Sequence, residues 1–230
     1  MGALLFDWPW AALLLAVVLS GLLLAELRTT TVRDPRWVLG WLWPMYLFHM
    51  FEEHGIDLLG RRHAFLGFLC QTLGYPVLSS CPATPRFVFA VNVLACQIAF
   101  GLAFFLRRTH PLIAACAWGI PLVNAVAHVL PALATGRYNP GLLTAVALFV
   151  PGCGWMLTTV LRSGLVPPSS GWRIVATGVL THVVLIGSVG LRAIGALTAD
   201  AFFVVNAVNG VWPLVFGRPR EPRDRATRAD

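Results

Sequence analysis

Residues 47–55 read LFHMFEEHG, and they place His49, Glu52, Glu53 and His54 inside an apolar run. On a helix of 3.6 residues per turn, Glu52 falls about 60° to one side of His49 and Glu53 about 40° to the other. His54 falls about 140° away and points elsewhere. One imidazole with carboxylates one turn away is half of a metal site. It is also a proton-transfer set, because two adjacent carboxylates in a low dielectric push their pKa values apart. An ionised group inside a membrane costs about 2.5–3.5 kcal/mol on insertion scales and marks a functional site by default.

A metal needs a second imidazole. The run WGIPLVNAVAHVLP supplies Asn124 and His128 at i and i+4, on one helix face. Asn92 stands in another apolar run, where it is as much a helix–helix hydrogen-bonding residue as a site residue, whereas Asn206 and Asn209 read as structural. In GRYNPG, Asn139 suits a helix cap and Pro140 a first helical position, while Tyr138 can point into a cavity. The candidate metal ligands are therefore His49, Glu53 and His128, and the candidate catalytic residues are Glu52, Asn124 and Tyr138. His182 has no nearby partner in sequence and reads as a packed histidine. Glu26 reads as an interfacial charge.

The elements that must carry these residues follow from composition. The chain of 230 residues is 57% hydrophobic and 12% charged. Its mean hydropathy is +0.74. A soluble domain carries roughly 25% charged residues. The expected fold is all-α, a polytopic transmembrane helix bundle, because only helices or closed barrels satisfy the backbone in lipid. About 20 apolar residues span a bilayer. On that scale seven segments are expected: 9–27, 37–59, 86–106, 110–134, 140–161, 173–196 and 200–216. Pro44 and Pro121 are expected to kink the second and fourth. Region 60–85 is too polar for a clean span and suits a short interfacial helix.

The loop SGLVPPSSGW separates a five-helix core from a C-terminal helix pair, all within one membrane domain, 1–216. Residues 217–230 read as an Arg-rich, disordered cytoplasmic tail. That tail lacks interleaved aromatics and argues against a nucleic-acid partner; membrane lipids are the expected contacts. The N-terminal segment carries Asp7 and no preceding basic residue, so it reads as a first membrane helix rather than a signal peptide. With the N-terminus outside, twelve of the 17 basic residues fall on the inner side: Arg28, Arg33, Arg36, Arg107, Arg108, Arg162, Arg173 and five in the tail. Arg61, Arg62, Arg86, Arg137 and Arg192 fall outside. Cys70 and Cys81 flank a polar loop and can pair if it is extracytoplasmic. Cys96, Cys116 and Cys153 read as small core residues.

The ordered set His49-x-x-Glu52-Glu53, Asn92, Asn124-x-x-x-His128 and Tyr138-Asn139-Pro140-Gly141 resembles the HXXEE-domain family, over roughly residues 37–160. These are small bacterial membrane proteins named for that motif. The resemblance implies a site in the plasma membrane without implying a reaction, and it leaves the C-terminal helix pair unexplained.

Three functions compete. The first is a membrane metalloenzyme, a hydrolase with a divalent ion, zinc favoured, on His49, Glu53 and His128. Glu52 would be its general base, and its substrate a lipid or other hydrophobic small molecule. The second is a metal-free acid–base isomerase or cyclase of a lipid-like substrate. The third is a proton-coupled carrier, which the lack of an internal repeat disfavours.

Overall fold

The computed structural model describes residues 2–218, with the side chains of residues 2–5 left aside. The tail expected over 217–230 therefore lies, from residue 219 on, outside the described residues. The fold is all-α. Helix α1 covers Gly2–Glu26. It is followed by α2 (Pro35–Gly40), α3 (Leu42–His54) and α4 (Ala64–Thr72). The long helices α5 (Pro85–Leu106), α6 (Pro111–Thr135), α7 (Leu142–Arg162), α8 (Pro168–Ala193) and α9 (Ala199–Phe216) complete the bundle.

Among the described residues, six helices are long and apolar enough to cross a membrane: α1, from Phe6 on, and α5 to α9. The expectation of seven is corrected here. The second expected span, 37–59, ends at His54 and is broken at Trp41 into helices of six and 13 residues. The cause is Pro44, which cannot donate to the carbonyl four residues back and clashes with it. Pro121 acts in the same way on α6, which turns at Trp118. The two breaks touch, since the Trp118 indole N–H donates to the Leu39 carbonyl at 3.3 Å. The broken helix runs antiparallel along α1: Trp37 Nε1 donates to Leu23 O at 2.7 Å, and the Trp8 and His54 rings lie 5.3 Å apart.

The helices pack through small residues, as membrane helices do. A Cβ on Gly119 of α6 would lie 1.8 Å from the Ile174 carbonyl oxygen of α8, and one on Gly178 would lie 1.9 Å from the Gly119 carbonyl oxygen. At one end of the bundle, Glu26 pairs with Arg107 and, at 3.5 Å, with Arg108. At the other end, Cys70 of α4 forms a disulfide with Cys81. Cys96, Cys116 and Cys153 are free and buried. Region 60–85 forms the short helix expected there, α4. Two long helices also carry a wider π turn, Ala90–Ala95 in α5 and Ala145–Phe149 in α7. Such turns re-aim side chains and are frequent beside functional sites.

Candidate metal centre

The site lies at the disulfide end, between α3, α6 and the start of α7. His49, Glu53 and His128 are all buried, and one ligand atom from each falls within 4.8 Å of the others. His128 Nε2 is 3.1 Å from Glu53 Oε1, and His49 Nε2 is 3.5 Å from the same oxygen. The two imidazoles stand edge to face with centroids 5.0 Å apart. The sequence-predicted ligand set is therefore brought together.

The protons around these rings can be counted. His128 Nδ1 lies 2.7 Å from Asn139 Oδ1, while Asn139 Nδ2 donates to the His128 carbonyl at 2.9 Å. Asn139 Oδ1 can only accept, so His128 carries a proton on Nδ1; in the neutral ring Nε2 is then bare toward Glu53, and in the charged ring Nε2–H donates to it. His49 Nδ1 lies 2.8 Å from the Thr144 hydroxyl. The one proton of that hydroxyl goes to the closer acceptor, Glu52 Oε2. Thr144 must therefore accept from His49 Nδ1–H, which leaves His49 Nε2 bare as well. His49 is 0% exposed, and Nε2 has no hydrogen-bond partner. With both rings neutral, two imidazole lone pairs and a carboxylate converge here. Such a group could hold a cation, and a second partner on the far ring nitrogen is the usual device for orienting a metal-binding His.

Glu52 does something else. Its Oε1 accepts from the Tyr138 hydroxyl at 2.8 Å and from the Leu143 N–H at 3.0 Å. Its Oε2 accepts from the Thr144 N–H at 2.7 Å and from the Thr144 hydroxyl. These donors occupy its lone pairs, and the carboxylate sits on the free N–H groups that open α7. The cap expected from Asn139 is thus supplied by another helix. The helix starts at Leu142 after Gly141, two residues later than expected, and the Asn139 side chain goes to His128.

Tyr138 bonds Glu52, as a cavity-facing tyrosine would, and accepts the Leu58 N–H at 3.1 Å. Burial pushes its hydroxyl pKa upward, the Leu58 N–H opposes that shift, and the Glu52 carboxylate adds to it. Asn124 faces another way. Its Nδ2 is 3.5 Å from the Tyr46 hydroxyl, and among the described residues it makes no hydrogen bond to the His/Glu cluster.

His54 is a correction to the helical-wheel reading. It does not point away from the site: its Nε2 lies 3.3 Å from Glu53 Oε2 and 3.1 Å from Asn92 Nδ2. Asn92 thereby joins the cluster at one remove. Asn206 holds α8 to α9 through Ser188 Oγ at 2.9 Å, and Asn209 donates to the Thr181 carbonyl at 2.9 Å, both in packing roles.

Two further residues escaped the sequence reading. Thr144 gave no signal beyond standing one turn past YNPG. Gly141 read as a turn residue, yet its φ is +96°, and a Cβ there would lie 2.7 Å from His128, 2.8 Å from His49 and 2.9 Å from Glu53. Its backbone forms one wall of the site, and no larger residue fits.

The model of a family described as "Protein of unknown function with HXXEE motif" matches residues 41–156, about half of the chain. That stretch contains all the residues of the cluster. No curated protein and no solved structure matches the chain.

Proposed function

We propose that this chain, which belongs to the HXXEE family, is a membrane-embedded metal-dependent enzyme, a hydrolase of a lipid or other hydrophobic small molecule. The observation that carries the reading is the convergence of His49 Nε2, His128 Nε2 and Glu53 Oε1, with His49 Nε2 left without a hydrogen-bond partner. His49, Glu53 and His128 would hold a divalent ion, and two imidazoles with one carboxylate favour zinc. Bound there, the ion would supply Lewis acidity toward a carbonyl or phosphoryl group and toward water.

The chain's own residues divide the remaining work. Thr144 and Asn139 hold the two imidazoles in the ligating tautomer. Glu52 is saturated with donors and serves as the anchor that ties Thr144, Tyr138 and the start of α7 to α3. The general-base role expected of Glu52 passes more readily to the Glu53–His54 pair, in which His54 Nε2 stands at the carboxylate's second oxygen. Tyr138 keeps its proton and donates it to Glu52.

The proposed orientation places the N-terminus and this site outside and the C-terminus inside. Glu26 with its paired arginines lies at one end and the disulfide at the other, as the positive-inside rule and an oxidising outer compartment require. The outer-side Arg61 is neutralised by Asp57 at 2.7 Å. One membrane domain over 1–216 and an inner Arg-rich tail belong to the same proposal.

Hydrolysis of long-chain esters and amides by the detergent-solubilised protein tests the reaction. Activity that is lost on chelation and restored by zinc supports it. Chelation-resistant turnover would move the assignment to metal-free acid–base chemistry on the same His–Glu–His set.

A further inference from the structure

A cavity of about 140 Å³ opens beside the cluster, between α4, α5, α6 and α8. Phe65, Leu69, Phe87, Val91, Ile120 and Leu185 give it apolar walls, and Glu53 stands on its boundary. Ile186 and Leu73, also at its edge, are 66% and 38% exposed on the outer face of the bundle. An apolar engineered cavity of about 150 Å³ holds a benzene ring, so this space takes a group of that size. Leu73 and Ile186 thus mark the side on which the cavity comes nearest the exposed surface of the bundle.

The polar groups on this wall fall into two kinds. Several are already bonded. Asn92 Nδ2 donates to Val88 O, Asn209 Oδ1 accepts from the Trp212 indole, and the Thr181 hydroxyl donates to Thr177 O. Two acceptors are not. His182 Nδ1 lies 2.8 Å from the Gly178 carbonyl, which can only accept; the proton is on Nδ1, and Nε2 is a bare lone pair. Asn124 Oδ1 is buried with no donor. An unmet buried acceptor such as Asn124 Oδ1 costs about 1–3 kcal/mol, so a ligand that brings a donor recovers it, while His182 Nε2 is half-buried beside it. Asn124 and His182 sit on α6 and α8, the pair locked by the Gly119–Gly178 contact, so both acceptors are held in place.

We infer that this cavity binds an apolar molecule carrying one hydrogen-bond donor, a hydroxyl or an amine, with the donor on the His182 and Asn124 acceptors and the apolar group among Phe65, Phe87 and Ile120. In the proposed hydrolase this ligand would be the released alcohol or amine, and the inference rests on that reading only for the fate of the ligand, not for its binding. Asn124 is then a recognition residue of the cavity rather than a member of the metal cluster.

The test uses fluorine NMR of the full-length protein in detergent with three probes: a trifluorinated six-carbon alcohol, the matching amine and the matching alkane. The alcohol, the amine or both should bind about tenfold more tightly than the alkane, the scale of one hydrogen bond. Which of the two binds identifies the donor. The preference should vanish in Asn124→Leu and in His182→Leu, and all binding should vanish in Val91→Trp, which fills the cavity. Equal binding of alkane and alcohol, or an unchanged preference in both Leu variants, would overturn the inference. Repeating the titration on His49→Ala separates this result from the metal reading, because the cavity preference should persist there whether or not metal is lost.

Discussion

Glu52 and Thr144 meet twice: the Thr144 backbone N–H lies 2.7 Å from Glu52 Oε2, and the Thr144 hydroxyl donates to the same oxygen. Through that hydroxyl the carboxylate reaches His49 Nδ1, so a residue of the HxxEE motif sets the proton of the imidazole one turn before it. The motif's two carboxylates thus part company. Glu53 faces His49 and His128, and Glu52 builds the frame around them.

Thr144→Val removes the hydroxyl and keeps the shape. His49 then loses the acceptor that fixes its tautomer. Loss of such an outer partner costs about 10–100-fold in metal affinity. Competition with a chromogenic chelator should show that drop, with Thr144→Ser near wild type.

Glu52→Gln separates an anchor from a base. The amide cannot accept from all the donors that now surround the carboxylate, and its NH₂ would face N–H groups. Leaving those donors unmet should destabilise the fold by about 1–3 kcal/mol. A clear fall in thermal midpoint is expected. Loss of turnover with an unchanged midpoint would restore the general-base assignment.

Gly141→Ala forces a Cβ into His128, His49 and Glu53 at a left-handed backbone position. Strain of this kind costs about 1–3 kcal/mol. The variant should unfold at lower temperature and bind metal more weakly, and Gly141→Val should be worse on both counts.

Tyr138 gives a pH dependence with a definite sign. Its hydroxyl pKa is raised in the fold, with burial the largest cause. The folded state then holds a proton that the unfolded chain loses above about pH 10. The contribution is fully present below that pH and is lost as pH rises through the folded value. Wild type should therefore lose more thermal stability than Tyr138→Phe between neutral and strongly alkaline pH. Parallel curves would contradict the raised Tyr138 pKa.

The membrane bundle and the clustering of His49, Glu53 and His128 were legible in the sequence, because both rest on local spacing. His49 and Glu53 are i and i+4, and His128 stands at the matching depth of another apolar run. Pro44 and Pro121 announced the two breaks, although the length cost at Trp41, which reduces the spans to six, did not follow from a hydrophobic count. The contacts that assign roles were not legible. Glu52 caps a helix 90 residues away, and nothing near Thr144 or Leu143 signals it. The wheel sent His54 outward because it ignored Asn92, which approaches on the π turn of α5. Gly141 looked like a turn glycine, and only the packed site shows what its missing Cβ makes room for.

The most direct measurement is metal content by elemental analysis of the purified protein, wild type beside His49→Ala. The account predicts about one zinc per wild-type chain, as a three-ligand catalytic site would hold, and its loss in the variant. A well-folded wild type that stays metal-free after zinc, iron and manganese supplementation would contradict it.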